Sequence, residues 1–268
     1  MRGYAWACVP NQNLSLLAAL ALVLASCASS VGPRGHAHND YVHKRALHDA
    51  LDAGCSSAEA DVFLIEGALR VGHERFLLRD GTLQSLYLDP LREIVRRNGG
   101  YVQSQSERFW LLIDIKAESA AVYGELRRVL SDYRDMLTCW RDGVELPGAV
   151  TIVLSGDRPR ALVAGERERW VAIDGRLGDL DANPPTTLVP WISDAWSTAF
   201  AWNGKERMPE DQRAKLHSIA ARAHEQGRLL RLWGAPDRAE VWDELAAAGV
   251  DWISTDRLAD FANWHNRR

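Results

Sequence analysis

Eight short apolar runs, each set apart from the next by a polar or amphipathic stretch, recur between residues 35 and 254. They are Gly35–His38, Ala58–Leu64, Phe109–Ile115, Ala149–Leu154, Val171–Asp174, Leu188–Ser193, Leu229–Trp233 and Trp252–Ser254. Runs this short and this apolar suit strands covered on both faces. The intervening stretches carry helical signals. Lys44–Ala53 places Ala46, Leu47, Ala50 and Leu51 near a 3.6-residue period, and Asp89–Asn98 stops at the Gly99-Gly100 pair. Ala120–Leu137 and Asp211–Gln226 are long and charged on one face, and Arg238–Ala248 ends at Gly249. Eight strands alternating with helices predict an α/β fold, a (β/α)8 TIM barrel, as a single domain over residues 34–268. The rival is an open doubly wound sheet, but no Gly-rich phosphate turn follows the first strand.

The segment ahead of the barrel reads differently. Arg2 is followed by the apolar run LSLLAALALVLA, Leu14 to Ala25, too short to serve comfortably as a permanent membrane span. It ends in Leu24-Ala25-Ser26-Cys27, which resembles the bacterial lipobox, where the cysteine is lipidated and becomes the first residue. That resemblance implies a signal over residues 1–26, a lipid on Cys27 anchoring the chain to a membrane, and a short tether over 27–33. The expectation is therefore an exported bacterial cell-envelope lipoprotein on the outer or periplasm-facing membrane. A plain secretory signal cut near Ala28 or Ser29 is the alternative. Of the four cysteines, Cys8 leaves with the signal, and Cys55 and Cys139 remain as a disulfide or as two free thiols.

With 36 acidic and 32 basic residues the formal net charge is -4, and no basic arm or Cys/His finger spacing is present. No electrostatic footprint for nucleic acid exists. What chemistry the chain carries must then sit at the strand ends, where barrel active sites lie.

There the polar residues group. The first strand reads GHAHNDY, and in extended backbone His36 and His38 point to one side, with Asn39 next in line. The second reads EAD, so Glu59 and Asp61 share a face, and two carboxylates this close call for a proton or a cation between them. A hard divalent cation with oxygen ligands, Mg²⁺ or Ca²⁺, gives that relief. The apolar third strand ends in DIK, placing Asp114 and Lys116 on one face. Asp114 offers a third carboxylate, and the ammonium suits a phosphate oxygen. A short strand in ALRVGHE delivers His73. Simple ion pairs would account for each motif alone; the ordered set at successive strand ends is the stronger sign.

In that order and spacing the set resembles the phosphatidylinositol-specific phospholipase C-like phosphodiesterase superfamily. That group includes the glycerophosphodiester phosphodiesterases and sphingomyelinase D enzymes. HAHNDY, EADVFL and LYLDPL look more narrowly like its AIM6-like branch, which includes a yeast mitochondrial-inheritance protein. The resemblance covers the whole chain after the N-terminal segment. It implies a TIM barrel with metal ligands Glu59, Asp61 and Asp114, a catalytic His73, Lys116 at the phosphate, and Trp233 as a pocket tryptophan. A His-Asn pair in eukaryotic phospholipase C matches His38-Asn39, making Asn39 a fourth ligand and His38 the first catalytic histidine. Alignment on Gly-His points to His36 instead. His-Ala-His replaces the glycerophosphodiesterase His-Arg-Gly, so the arginine expected at phosphate is missing.

The expected activity is a metal-dependent phosphodiesterase acting on a glycerophosphodiester or phospholipid headgroup. One imidazole would take a proton from water or a neighbouring hydroxyl and the other would protonate the leaving oxygen. A non-catalytic lipoprotein binding a phosphorylated or sugar ligand on the same barrel is the alternative. Trp191, Trp196 and Trp233 lie near strand ends, a place open to a substrate mouth or to the core, and of the three only Trp233 matches the family's pocket tryptophan.

Overall fold

The computed structural model describes residues 33–105 and 107–268. The expected signal segment and Cys27 lie outside the described residues. Eight strands form the barrel: β1 (Arg34–Ala37), β2 (Cys55–Ile65), β3 (Phe109–Ile115), β4 (Val150–Gly156), β5 (Val171–Gly175), β6 (Trp191–Ala195), β7 (Leu229–Trp233) and β8 (Trp252–Thr255). Each pairs in parallel with the next, and β1 pairs with both β8 and β2, so the sheet closes. Closure decides for the TIM barrel and against the open sheet.

Alternation along each strand divides the core in two. Leu111, Ile113 and Ile115 of β3 face outward into the layer shared with the helices. Trp110 and Leu112 face inward, where they meet Val153, Ala172, Trp191 and Trp252. The rings of Trp110 and Trp191 stack at 5.5 Å, and Trp252 meets them edge-on at 6.1 and 5.7 Å. Trp140 joins this cluster from a separate three-stranded sheet, so tryptophans fill the barrel interior. Trp191 is fully buried and Trp196 nearly so, which decides for the core and against the mouth. Inward alternation sends Trp191, at the first position of β6, into the interior floor.

Local boundaries moved where side chains competed for the backbone. The helix expected from Lys44 begins at His48, because Leu47 takes a positive φ of 66° and its N–H donates to the buried Asp40 carboxylate at 2.5 Å. The helix expected to reach Leu137 runs Ser119–Leu130 and gives way to a tight turn over Ser131–Tyr133. There the Ser131 hydroxyl donates to the Arg128 carbonyl at 2.6 Å. Gly35 is needed in β1, since a Cβ there would run into the Phe261 ring and Cys55 Sγ. Cys55 and Cys139 are free thiols. Among the described residues no helix is long and apolar enough to cross a membrane.

Candidate active site

β2 is 11 residues long and overshoots the barrel rim. Its last four residues, Val62 to Ile65, pair antiparallel with Val71 to Ala68 across the Glu66-Gly67 turn, both turn residues having positive φ. Positive φ at both positions belongs to a two-residue hairpin whose twist matches its strands. The returning strand brings His73 back over Asp61, Nδ1 at 2.9 Å from Oδ2.

Asp61 is fully buried at the centre of the site. Its Oδ2 receives three groups: the Tyr41 hydroxyl at 2.7 Å, His73 Nδ1, and Lys116 Nζ at 2.8 Å. Its Oδ1 is buried with no partner. Lys116 also lies 3.2 Å from Asp114 Oδ1. Burial lowers the Lys116 pKa, but its bonds to Asp61 and Asp114 outweigh that and hold it charged. Burial pushes Asp114 up to about 6; Lys116 opposes this, and the charges of Asp61 and Glu59 add to it.

Oxygen atoms of Glu59, Asp61 and Asp114 lie within 4.8 Å of one another, an acidic triad able to hold a divalent cation. The donor set fits that role. Three hard oxygen ligands converge, one buried oxygen is unpartnered, and the crowded charge has too few cations beside it.

The two histidines of β1 are separated by depth. His36 is fully buried, with Nδ1 2.7 Å from Ser57 Oγ and Nε2 3.1 Å from Glu59. Burial and the Arg231 charge bring its pKa down to about 3, so the ring is neutral. Nε2–H then donates to Glu59 and Nδ1 accepts from Ser57. His36 also stands edge-on against Trp191 at 6.2 Å, resting on the tryptophan floor. His38 sits at the rim, 29% exposed in its side chain, with Nδ1 2.9 Å from Asp256. Burial lowers its pKa, but the Asp256 carboxylate and Glu59 raise it overall. Asn39, in the left-handed region at φ 47°, lays its amide 3.2 Å from the same ring and accepts the Tyr41 hydroxyl at 2.8 Å. The Asn39 carbonyl oxygen is thus one hydroxyl away from Asp61. Trp233 ends β7 with 39% of its surface exposed.

Arg231, Tyr41, Ser57 and Asp256 also take part, and the sequence reading had given none of them a role. Arg231 points inward from β7, 3% exposed, and its Nη2 donates to Glu59 at 2.7 Å. Burial works against the Glu59 carboxylate, yet Arg231 and His36 hold its pKa well below the usual range. A lone arginine inside the apolar run LLRLW was the available signal. An inward charge there must find a partner across the barrel.

A family model described as the AIM6-like phosphodiesterase domain matches residues 27–174. The altered inheritance of mitochondria protein 6 homolog of Arthroderma benhamiae is 29% identical over 256 residues, covering 82% of this chain and 80% of that protein. Altered inheritance of mitochondria protein 6 of Eremothecium gossypii is 25% identical over 262 residues, covering 84% and 67%. The protein of that name from Saccharomyces cerevisiae is 28% identical over 244 residues, and the chain covers only 61% of it. In structure, glycerophosphodiester phosphodiesterase from Agrobacterium tumefaciens matches with a TM-score of 0.54 at 15% identity, covering 87% of this chain and 99% of that one. At that identity the likeness is one of fold. These curated relatives are fungal, hence eukaryotic, and this overturns the expectation of an exported bacterial cell-envelope lipoprotein. Leu-Ala-Ser before a cysteine arises readily in an Ala- and Leu-rich stretch and is a weak signal by itself.

Proposed function

This chain belongs to the AIM6-like phosphodiesterase domain family, and from that premise we propose that it is a divalent-cation-dependent phosphodiesterase. Its substrate is a glycerophosphodiester or a phospholipid headgroup, and His38 and His73 are its acid–base pair. The observation that carries the reading is the triad of Glu59, Asp61 and Asp114 with Lys116 against two of its members. The cation is Mg²⁺ or Ca²⁺, on the triad with Asn39 beside it. When bound it supplies the charge that polarises a phosphoryl oxygen and lowers the pKa of an attacking hydroxyl.

The chain's own groups do the rest. Three carboxylates against Lys116 and Arg231 leave the site short of positive charge, a deficit that a cation held by Glu59, Asp61 and Asp114 would make up. Lys116 adds positive charge where the transition state gathers negative charge. His38 donates Nδ1–H to Asp256 and His73 donates Nδ1–H to Asp61, so each ring turns its Nε2 edge away from its carboxylate. One Nε2 takes the proton from water or a neighbouring substrate hydroxyl, and the other returns one to the leaving oxygen. The first nucleophile makes the enzyme a hydrolase and the second a lyase forming a cyclic phosphate. His36, neutral and bonded at both nitrogens, orients Glu59 and is a positioning residue. Phe76 and Leu77, 78% and 66% exposed just after His73, and Trp233 give apolar surface for an apolar arm of the diester.

The test is hydrolysis of bis-p-nitrophenyl phosphate and a panel of lipid headgroups, with and without Mg²⁺ or Ca²⁺. Activity is expected to vanish in EDTA and to fall at least about a hundredfold in His73→Ala. Turnover indifferent to both sinks the reading.

A further inference from the structure

Three arginines, Arg158, Arg160 and Arg176, stand just beyond the C-terminal ends of β4 and β5, and the reaction above uses none of them. Two are neutralised. Arg160 lies 2.8 Å from Asp179, and Arg176 lies 2.6 Å from Asp174. Arg176 also donates to the Ser193 carbonyl at 3.3 Å and to the Ser155 hydroxyl at 3.4 Å, which fixes it over the barrel interior.

Arg158 is different. Its Nη1 donates to the Gly156 carbonyl at 3.1 Å, its Nε is buried without a partner, and among the described residues it forms no ion pair. The nearby acids are engaged elsewhere. Asp157 accepts the Ser119 N–H at 3.2 Å, and Asp194 accepts the N–H groups of Leu177 and Ala195. Burial, Arg176 and Arg160 push the Arg158 pKa down by more than the charges of Asp174 and Asp179 raise it. A half-buried guanidinium beside two others, with an unpaired N–H and only carboxylates that its neighbours already engage, is costly to the folded chain. An anion brought from outside relieves the crowding of positive charge. A guanidinium with no carboxylate of its own suits phosphate oxygens, which accept its remaining N–H groups.

The location relates this group to the triad. β4 lies beside β3, with Asp114 opposite Ser155. Gly156 takes φ +65°, and a Cβ there would run into the Asp114 carboxylate and the Ile115 carbonyl. The backbone thus turns directly over Asp114 and presents Arg158 two residues later. β5 lies on the far side of β4, so the arginines follow the first and second strands beyond the one that bears Asp114.

We propose that Arg158, backed by Arg176, is an anion subsite that holds a second negatively charged group of the substrate, a phosphomonoester, beside the scissile diester. That this ligand belongs to a substrate rests on the phosphodiesterase reading; the anion site itself does not.

The experiment uses the full chain. Inorganic phosphate is titrated in EDTA, and its affinity and the thermal midpoint are followed for wild type, Arg158→Gln and the surface control Arg45→Gln. Phosphate is expected to raise the midpoint of wild type and of Arg45→Gln, and to bind Arg158→Gln at least about tenfold more weakly. Without phosphate, Arg158→Gln is expected to melt at or above the wild-type midpoint, because a burdensome charge has gone. A lower midpoint with the phosphate response intact marks a structural arginine and overturns the proposal, as does a wild type indifferent to phosphate.

A second arm compares p-nitrophenyl butyl phosphate with the same diester phosphorylated at the butyl terminus. Wild type is expected to favour the phosphorylated diester at least about tenfold in kcat/KM, and Arg158→Gln to lose that preference. Equal preference in both proteins overturns the assignment to substrate. If neither diester is cleaved while phosphate still binds through Arg158, the anion site stands and the phosphodiesterase reading alone falls.

Discussion

Replacing Arg231 by methionine keeps the side chain's length and removes its charge from one of the most enclosed ion pairs in the barrel. The Arg231 and Glu59 side chains are 3% and 8% exposed and meet at 2.7 Å, so water can do little for a carboxylate left behind. Glu59 would keep only the neutral Nε2–H of His36 at 3.1 Å. Removing one partner of a buried pair costs about 3–5 kcal/mol. At this chain length each kcal/mol lowers the melting temperature by about 2–4 °C, so the variant should melt about 6–20 °C below wild type in EDTA. Glu59→Gln/Arg231→Met, which leaves no orphaned charge, should recover most of that loss, with a coupling of about 2 kcal/mol or more. Divalent cation should then stabilise Arg231→Met more than wild type, since the freed carboxylate has no other counter-charge. Circular dichroism melts with and without Mg²⁺ measure all three. A loss under about 1 kcal/mol, typical of an exposed pair, or strictly additive single variants would refute the reasoning.

Other outcomes follow from separate parts of the molecule. Trp191→Ala removes a fully buried ring from the barrel floor and should cost about 3–5 kcal/mol in urea unfolding. It should also release Asp174, which now accepts the indole N–H at 2.6 Å. Asp61→Asn should weaken Mg²⁺ binding by about a hundredfold in calorimetry, because it neutralises the carboxylate with the unpartnered buried oxygen. Arg213 binds Glu244 through two contacts, at 2.8 and 2.5 Å, and joins the helices Glu210–Glu225 and Ala239–Ala247. The bond to Arg213 lowers the Glu244 pKa below its ordinary 4.5, so its stabilisation is present above that pH and lost as pH falls below it. Arg213→Met should therefore lower the urea midpoint at pH 7 and progressively less under acid.

Local pattern carried much of the architecture. Phe109–Ile115 and Leu229–Trp233 form strands with the bounds their apolar runs indicated, because a strand buried on both faces leaves its signature in consecutive residues. Period-two alternation likewise told that Glu59 and Asp61, or Asp114 and Lys116, share a face. It failed where a neighbour distant in sequence set the outcome. The helix after β1 starts late because Asp40 takes the Leu47 N–H, and no periodicity records that competition.

The sequence by itself determined the barrel, through eight apolar runs and the helices between them. It also determined which carboxylates and imidazoles stand at strand ends. Tertiary structure decided depth and pairing. His36 and His38 share a face and are equivalent to any local rule, yet closure of the barrel seats one on Trp191 beside Glu59 and leaves the other at the rim against Asp256. Arg231 reaches Glu59 across 172 residues of chain, and among the described residues Arg158 forms no ion pair because Asp174 and Asp179 are taken by its neighbours. Such relations depend on strand stagger and on which charges meet inside a closed sheet. They exist only once every strand is in place.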